Sequence, residues 1–150
     1  MTDGVLELDF GVYLVSGFPR VTPFETIPER FVCLTEDGFR RDDFPDEQCL
    51  VLERGGKLYL FVGCSQPGIL NMVRHVFSVL NKPVAAVFGG THLVEAGKDR
   101  ILNTVNVLRE MGMETLGLSH CSGDAAEALA RDVSGVRVCH LACGDSIFLE

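Results

Sequence analysis

The sequence has no excess of basic residues, no long apolar run, and no repeat, linker or low-complexity segment. It carries 13 Lys and Arg against 21 Asp and Glu, for a formal net charge of -8. Nucleic-acid binding needs a basic patch, so this balance argues against it. Neither a basic amphipathic helix nor an apolar span of membrane length occurs, which leaves a membrane role without support. The start, MTDGVLELDF, has neither the basic residues nor the apolar core of a signal peptide. A cytoplasmic location is therefore expected. Without an export signal, the six cysteines (Cys33, Cys49, Cys64, Cys121, Cys139 and Cys143) are expected to be reduced rather than to form a disulfide framework.

What is present is a foldable chain. Hydrophobic residues make up 47% of the sequence and the mean hydropathy is +0.23, so 150 residues can bury a core as a single domain spanning 1–150. The stretch from Lys57 to Asn71, KLYLFVGCSQPGILN, organises the rest. Lys57 to Val62 is apolar on both alternating faces, the pattern of a strand covered from both sides. Gly63, Cys64, Ser65 and Gln66 form a small polar break. Ile69, Met72, Val73, Val76, Phe77 and Leu80 then recur at the spacing of one buried helical stripe. Such a turn lies at the carboxyl end of a strand, where open α/β sheets hold ligands.

In chain order, Val5 to Leu8 and Gly11 to Val15 read as short strands. Gly17 to Pro28 reads as a loop, because Pro19, Pro23 and Pro28 forbid regular helix. Phe31 to Leu34 reads as a strand, Glu36 to Glu47 as an acidic segment with a turn at Gly38, and Cys49 to Glu53 as a strand entering the Gly55-Gly56 hairpin turn. Val84 to Phe88 and Thr115 to Leu118 are further apolar strands. Between them, Asp99 to Met111 is a helix that buries Leu102, Val105 and Leu108 and stops at Gly112. A third helix, Ala125 to Asp132, has Ser122 or Asp124 as its cap. Val136 to Cys139 and Ser146 to Leu149 read as closing strands. This alternation predicts an α/β (α+β) fold, a mixed sheet with right-handed crossovers and helices on one face.

The central turn, Gly63 to Asn71, resembles the G-C-S-H-P-G-I-x-N motif of metallo-β-lactamase-fold hydrolases. The likeness is to the branch named for 7,8-dihydropterin-6-methyl-4-(β-D-ribofuranosyl)-aminobenzene-5'-phosphate synthase. Four other stretches agree in order. Gly11 to Glu25 (GVYLVSGFPRVTPFE) is similar to G-V-Y-x-T-G-x-I-P-R-x-T-x-F-E, and Asp42 to Leu52 (DDFPDEQCLVL) to D-x-F-x-D-E-x-x-L. Gly89 to Leu93 (GGTHL) is similar to G-G-F-H-L, and His120 to Gly123 (HCSG) to H-C-T-G. Two departures qualify the likeness. The H-x-H-x-D-H motif that begins the fold's metal centre is absent from the sequence, and Gln66 stands where the branch has histidine, although an amide is a poor zinc ligand. The resemblance thus implies the carboxyl-terminal half of an αβ/βα sandwich. The second face of its sheet would be covered by the chain's own first strands, by a second copy in a homodimer, or by a separate amino-terminal-half chain.

The resemblance also implies candidate residues. His120 is comparable to the fold's last metal histidine; its alternative is a capping histidine. His92, at the end of a neighbouring strand, either approaches the same site or is a loop histidine. Cys64 could offer a thiolate to a soft metal and Gln66 takes the ligand position, or both are ordinary buried and hydrogen-bonding residues. Asp46 and Glu47 could serve as acid or base, or belong to a solvated acidic loop. His75 is expected on the exposed helix face with Asn71, Arg74 and Ser78. The C-H-x-x-C string of Cys139, His140 and Cys143 has no second pair to complete a structural zinc site. A divalent metal (zinc, iron or manganese), bound to the isolated chain or missing from it, and a small-molecule substrate follow from the resemblance. Two functions remain open, a metal-dependent hydrolase needing a partner half and a non-catalytic binding or assembly module.

Overall fold

The computed structural model describes residues 4–149. Seven strands form one sheet in the order β1 (Val5–Asp9), β2 (Val12–Ser16), β5 (Gln48–Arg54), β6 (Lys57–Val62), β7 (Val84–Gly89), β8 (Thr115–Leu118) and β9 (Arg137–His140). The first four are antiparallel neighbours and β6 to β9 run parallel. The change of pairing follows from the connections. Gly55 and Gly56 give a tight hairpin between β5 and β6, whereas β6, β7, β8 and β9 are joined by crossovers through α1 (Ile69–Leu80), α2 (Lys98–Glu110) and α3 (Asp124–Arg131). A separate hairpin pairs β3 (Val32–Thr35) with β4 (Gly38–Arg41). No helix of the described residues is long and apolar enough to cross a membrane.

All three helices lie on one face. Ile69, Met72, Val73 and Val76 of α1, Ile101, Val105 and Leu108 of α2, and Ala126 and Ala130 of α3 share one core with Val51, Leu58, Leu60, Val87 and Leu116 of the sheet. A smaller cluster on the opposite face contains Tyr59, Ala85, Ala86 and Phe88, with Leu141, Ile147 and Leu149 packed over it. Gly117 makes room for that cover, since a Cβ there would lie 2.6 Å from both Leu141 and Phe88 side chains. The cover stops short of the antiparallel half. Leu6, Leu14, Leu50 and Phe61 are register partners across four strands and so share this second face. Leu14, Leu50 and Phe61 are half-buried and Leu6 is exposed.

Several expectations are corrected. Residues 146–149 are not a strand; Ile147 and Leu149 lie across the sheet as a strap that buries side chains without joining a ladder. The first strands do not build a second layer but extend the same sheet. The acidic segment contains β4, a strand that the charges of Arg40 and Arg41 conceal from a periodicity reading. On α1, Phe77 is exposed, while Asn71 is fully buried and His75 half-buried against Phe18. On α2, Ile101 takes the buried position and Leu102 is half-buried. Neither Ser122 nor Asp124 caps α3. Gly123 is the N-cap residue, with no side-chain hydrogen bond, and Asp124 is the helix's first residue.

The proline-rich loop is fastened to the start of α1 by buried polar groups 45 residues or more apart. Glu25, 6% exposed, accepts hydrogen bonds from the amides of Leu70 (2.8 Å) and Asn71 (2.9 Å). It thereby satisfies free N–H groups of a helix whose own N-cap, Gly68, has no side chain to do so. Asn71 Oδ1 in turn accepts from the amides of Val21 (3.0 Å) and Thr22 (2.8 Å), and its Nδ2 donates to the Pro67 carbonyl. Arg74 donates to Thr22 Oγ1 at 2.7 Å. Burial pushes the Glu25 carboxyl up, opposed by the two amides and by Arg100 and Arg74. Two of the motif stretches, Gly11 to Glu25 and Gly63 to Asn71, are thus one interlocked unit.

Candidate metal-ligand turns at the strand ends

Three neighbouring parallel strands, β6, β7 and β8, end side by side, and each passes into a turn carrying one non-glycine residue with left-handed backbone: Ser65 (φ 57), His92 (φ 53) and His120 (φ 51). That conformation is costly for residues with a side chain and persists only where the surroundings enforce it. Hydrogen bonds between the turns supply the enforcement. Gly90 donates its amide to the Gly63 carbonyl (3.0 Å), and the buried Ser65 hydroxyl donates to the Gly90 carbonyl (2.7 Å). The Ser119 amide donates to the Gly89 carbonyl (3.1 Å), and the Ser122 hydroxyl does so at 3.3 Å while accepting from the Thr91 amide and hydroxyl at 3.1 Å each. The Val94 amide donates to the Cys121 carbonyl at 3.1 Å. Gly90 must be glycine, since a Cβ would lie 2.6 Å from both the Cys121 sulfur and the Gly63 carbonyl oxygen.

This knot brings together side chains 56 and 57 residues apart. His120 Nε2 lies 2.9 Å from Cys64 Sγ, and the Cys121 thiol donates to the Cys64 carbonyl at 3.3 Å. One donor atom from each of Cys64, His120 and Cys121 falls within 4.8 Å of the others. His120 is exposed and the two cysteines are half-buried. Burial pushes the Cys121 thiol up to about 11, opposed by the His92 amide that faces its sulfur. All six cysteines are free thiols.

The other candidates fall around this cluster. Gln66 donates its amide N–H to Glu47 Oε2 at 3.1 Å. Glu47 is half-buried rather than part of a solvated loop, and its carboxyl is pushed up by burial, against the amides of Gln66 and Ser65. Asp46 is exposed. The His92 ring lies outside the three-residue cluster and packs against Phe31, centroids 5.9 Å apart. Both its ring nitrogens are buried without a hydrogen-bond partner, and burial pushes its pKa down. Cys139 donates to the Leu116 carbonyl, and His140 Nδ1 pairs with Glu127 Oε2 at 2.8 Å, so the C-H-x-x-C string is spread over separate partners. Cys121 joins the cluster without having been a candidate on sequence grounds. It lies within HCSG, and the one signal the sequence offers is its position next to His120.

The donor set fits a thiophilic metal. Zinc bonds of about 2.3 Å to sulfur and about 2.0 Å to nitrogen place donor atoms of a tetrahedral site roughly 3.5–3.8 Å apart. Here His120 Nε2 lies 2.9 Å from Cys64 Sγ and all three donor atoms lie within 4.8 Å of one another, so side-chain rotation is what would bring them to that spacing.

No protein-family model matches the chain. Over 88 residues, 57% of the chain, it is 38% identical to 7,8-dihydropterin-6-methyl-4-(beta-D-ribofuranosyl)-aminobenzene-5'-phosphate synthase of Methanocaldococcus jannaschii. That match spans 30% of the curated relative. A solved metal-dependent hydrolase of the beta-lactamase superfamily superposes on 99% of the chain with a TM-score of 0.90 and 25% identity, and the chain spans 57% of its length. The resemblance read in the motifs is therefore found again in both sequence and structure. The fold is that of a metallo-β-lactamase-superfamily hydrolase over somewhat more than half of such a chain.

Proposed function

We propose that this chain is the carboxyl-terminal half of a metallohydrolase, contributing ligands at the ends of β6 and β8 to a centre that a second polypeptide completes. The observation behind this reading is the convergence of the motif turns, with His120 against Cys64 at 2.9 Å. His120 is the principal ligand, while Cys64, Gln66 and His92 sit on the three turns around it. A bound divalent metal would polarise a substrate oxygen and make water a better nucleophile. The chain's own residues hold the geometry. Glu47 fixes the Gln66 amide, and Ser65 and Ser122 tie the turns to Gly89 and Gly90. The half-covered row of Leu6, Leu14, Leu50 and Phe61 is the surface for the missing half, an amino-terminal segment bearing H-x-H-x-D-H. A phosphate ester is the substrate class, by analogy with the name of the curated relative.

A second reading rests on Gln66, which replaces a histidine ligand with a neutral amide, and makes the chain a non-catalytic binding or assembly module. Hydrolysis of a chromogenic phosphate diester separates the two. The chain alone is expected to be inert, to gain turnover when co-expressed with an amino-terminal segment of the family, and to lose it again in His120→Ala. A complex that binds metal but hydrolyses nothing would favour the binding module. Full activity of the chain alone would refute its incompleteness.

A further inference from the structure

We propose that Cys64, His120 and Cys121 form a zinc site that this chain completes by itself, with two thiolates and one imidazole as ligands and a fourth position open to solvent. The inference rests on the metal reading above and deepens it, because it assigns the ligands by which the chain alone holds a zinc ion, while turnover still requires the second half.

Three observations converge on it. The donor atoms come from two turns 56 residues apart and still fall within 4.8 Å of one another, with Nε2 of His120 at 2.9 Å from Cys64 Sγ. Backbone rather than chance rotamers holds them there. Cys121 is pinned by the Val94 amide on its carbonyl and by the absence of a side chain at Gly90, whose Cβ would displace its sulfur. The His92 amide also faces the Cys121 sulfur, the kind of outer contact that orients a thiolate ligand. Two sulfurs and one imidazole select zinc over manganese, which prefers oxygen. On binding, each cysteine loses its S–H proton to solvent and forms one S–Zn bond, and His120 donates the Nε2 lone pair. His120 is exposed, so the fourth position faces water rather than the core, as in an open three-ligand site.

Cobalt(II) titration of the full chain, under a phosphine reductant and without oxygen, is the test. Tetrahedral cobalt bands with near-ultraviolet thiolate charge transfer should saturate at one cobalt per chain. Zinc should displace cobalt and manganese should not. Charge transfer should fall to about half in Cys64→Ser and in Cys121→Ser, vanish in the double variant, and be unchanged in Cys143→Ser, which alters an exposed thiol. His120→Ala, at an exposed position, should keep the charge transfer and weaken cobalt binding by at least about tenfold. A wild-type spectrum without thiolate charge transfer, or charge transfer that survives the double variant, overturns the inference. Since the wild-type spectrum is decisive alone, a variant that fails to fold does not rescue it. If the chain holds metal that depends on His120 but shows no thiolate band, the metallohydrolase reading stands and only the thiolate site falls.

Discussion

Gly89→Ala is expected to cost more than about 4 kcal/mol, or to prevent folding. Gly89 ends β7 with φ +131, a conformation that L side chains rarely adopt, and a Cβ there would lie 2.1 Å from the Val62 carbonyl oxygen. That oxygen belongs to the backbone of the paired strand β6, so no side-chain rotation relieves the overlap. The strands must separate, and the turns at both their ends move with them. Glycine alone combines that dihedral with so close an approach of two backbones. Urea unfolding, or the soluble yield if the variant does not fold, reads the effect. A loss below about 1 kcal/mol would mean that the strand ends are not packed as described.

The second large effect is at Glu25. Glu25→Ala leaves the amides of Leu70 and Asn71 buried without acceptors, and each such group costs about 1–3 kcal/mol. A total of about 2–4 kcal/mol is expected, because the carboxylate's own burial offsets part of the gain. Glu25→Gln should fall between, since its carboxamide keeps one acceptor and turns a donor toward the other amide. The pH dependence has a definite sign. Burial raises the Glu25 pKa, so the folded state holds this proton more tightly than the unfolded chain. Between the ordinary carboxylate pKa and the raised one, the folded state binds more protons, and stability from this group falls as pH rises through that window. The gap between wild type and Glu25→Ala should therefore be widest below the ordinary carboxylate range and narrow above the raised pKa. A gap that widens with pH would contradict burial as the dominant cause.

How much of this was legible depends on the range of the interaction. The central strand and the helix after it were readable from Lys57 to Leu80 because both periodicities are local and strong. The glycines at 89 and 90 were readable as the end of a strand, but not as the reason two backbones can meet. The strap at 146–149 has the alternation of a strand, and only the lack of a ladder partner makes it something else. Asn71 reads as polar surface on a helical wheel. It is buried because loop amides 49 and 50 residues away need an acceptor. Cys121 has the same character. Only its neighbour His120 marks it in the chain, and only the crossover through α1, β7 and α2 brings it to Cys64. The motif resemblance pointed to these turns where periodicity could not, since it named turns rather than elements.

Metal content of the purified chain by plasma mass spectrometry, with His120→Ala alongside, shows whether the clustered turns are the metal-ligand end of a metallohydrolase fold. One metal per chain is expected in the wild type and a clearly lower, substoichiometric content in His120→Ala, with both proteins folded by circular dichroism. Wild type without metal after growth in metal-replete medium, or a variant that retains as much metal as the wild type, would contradict it.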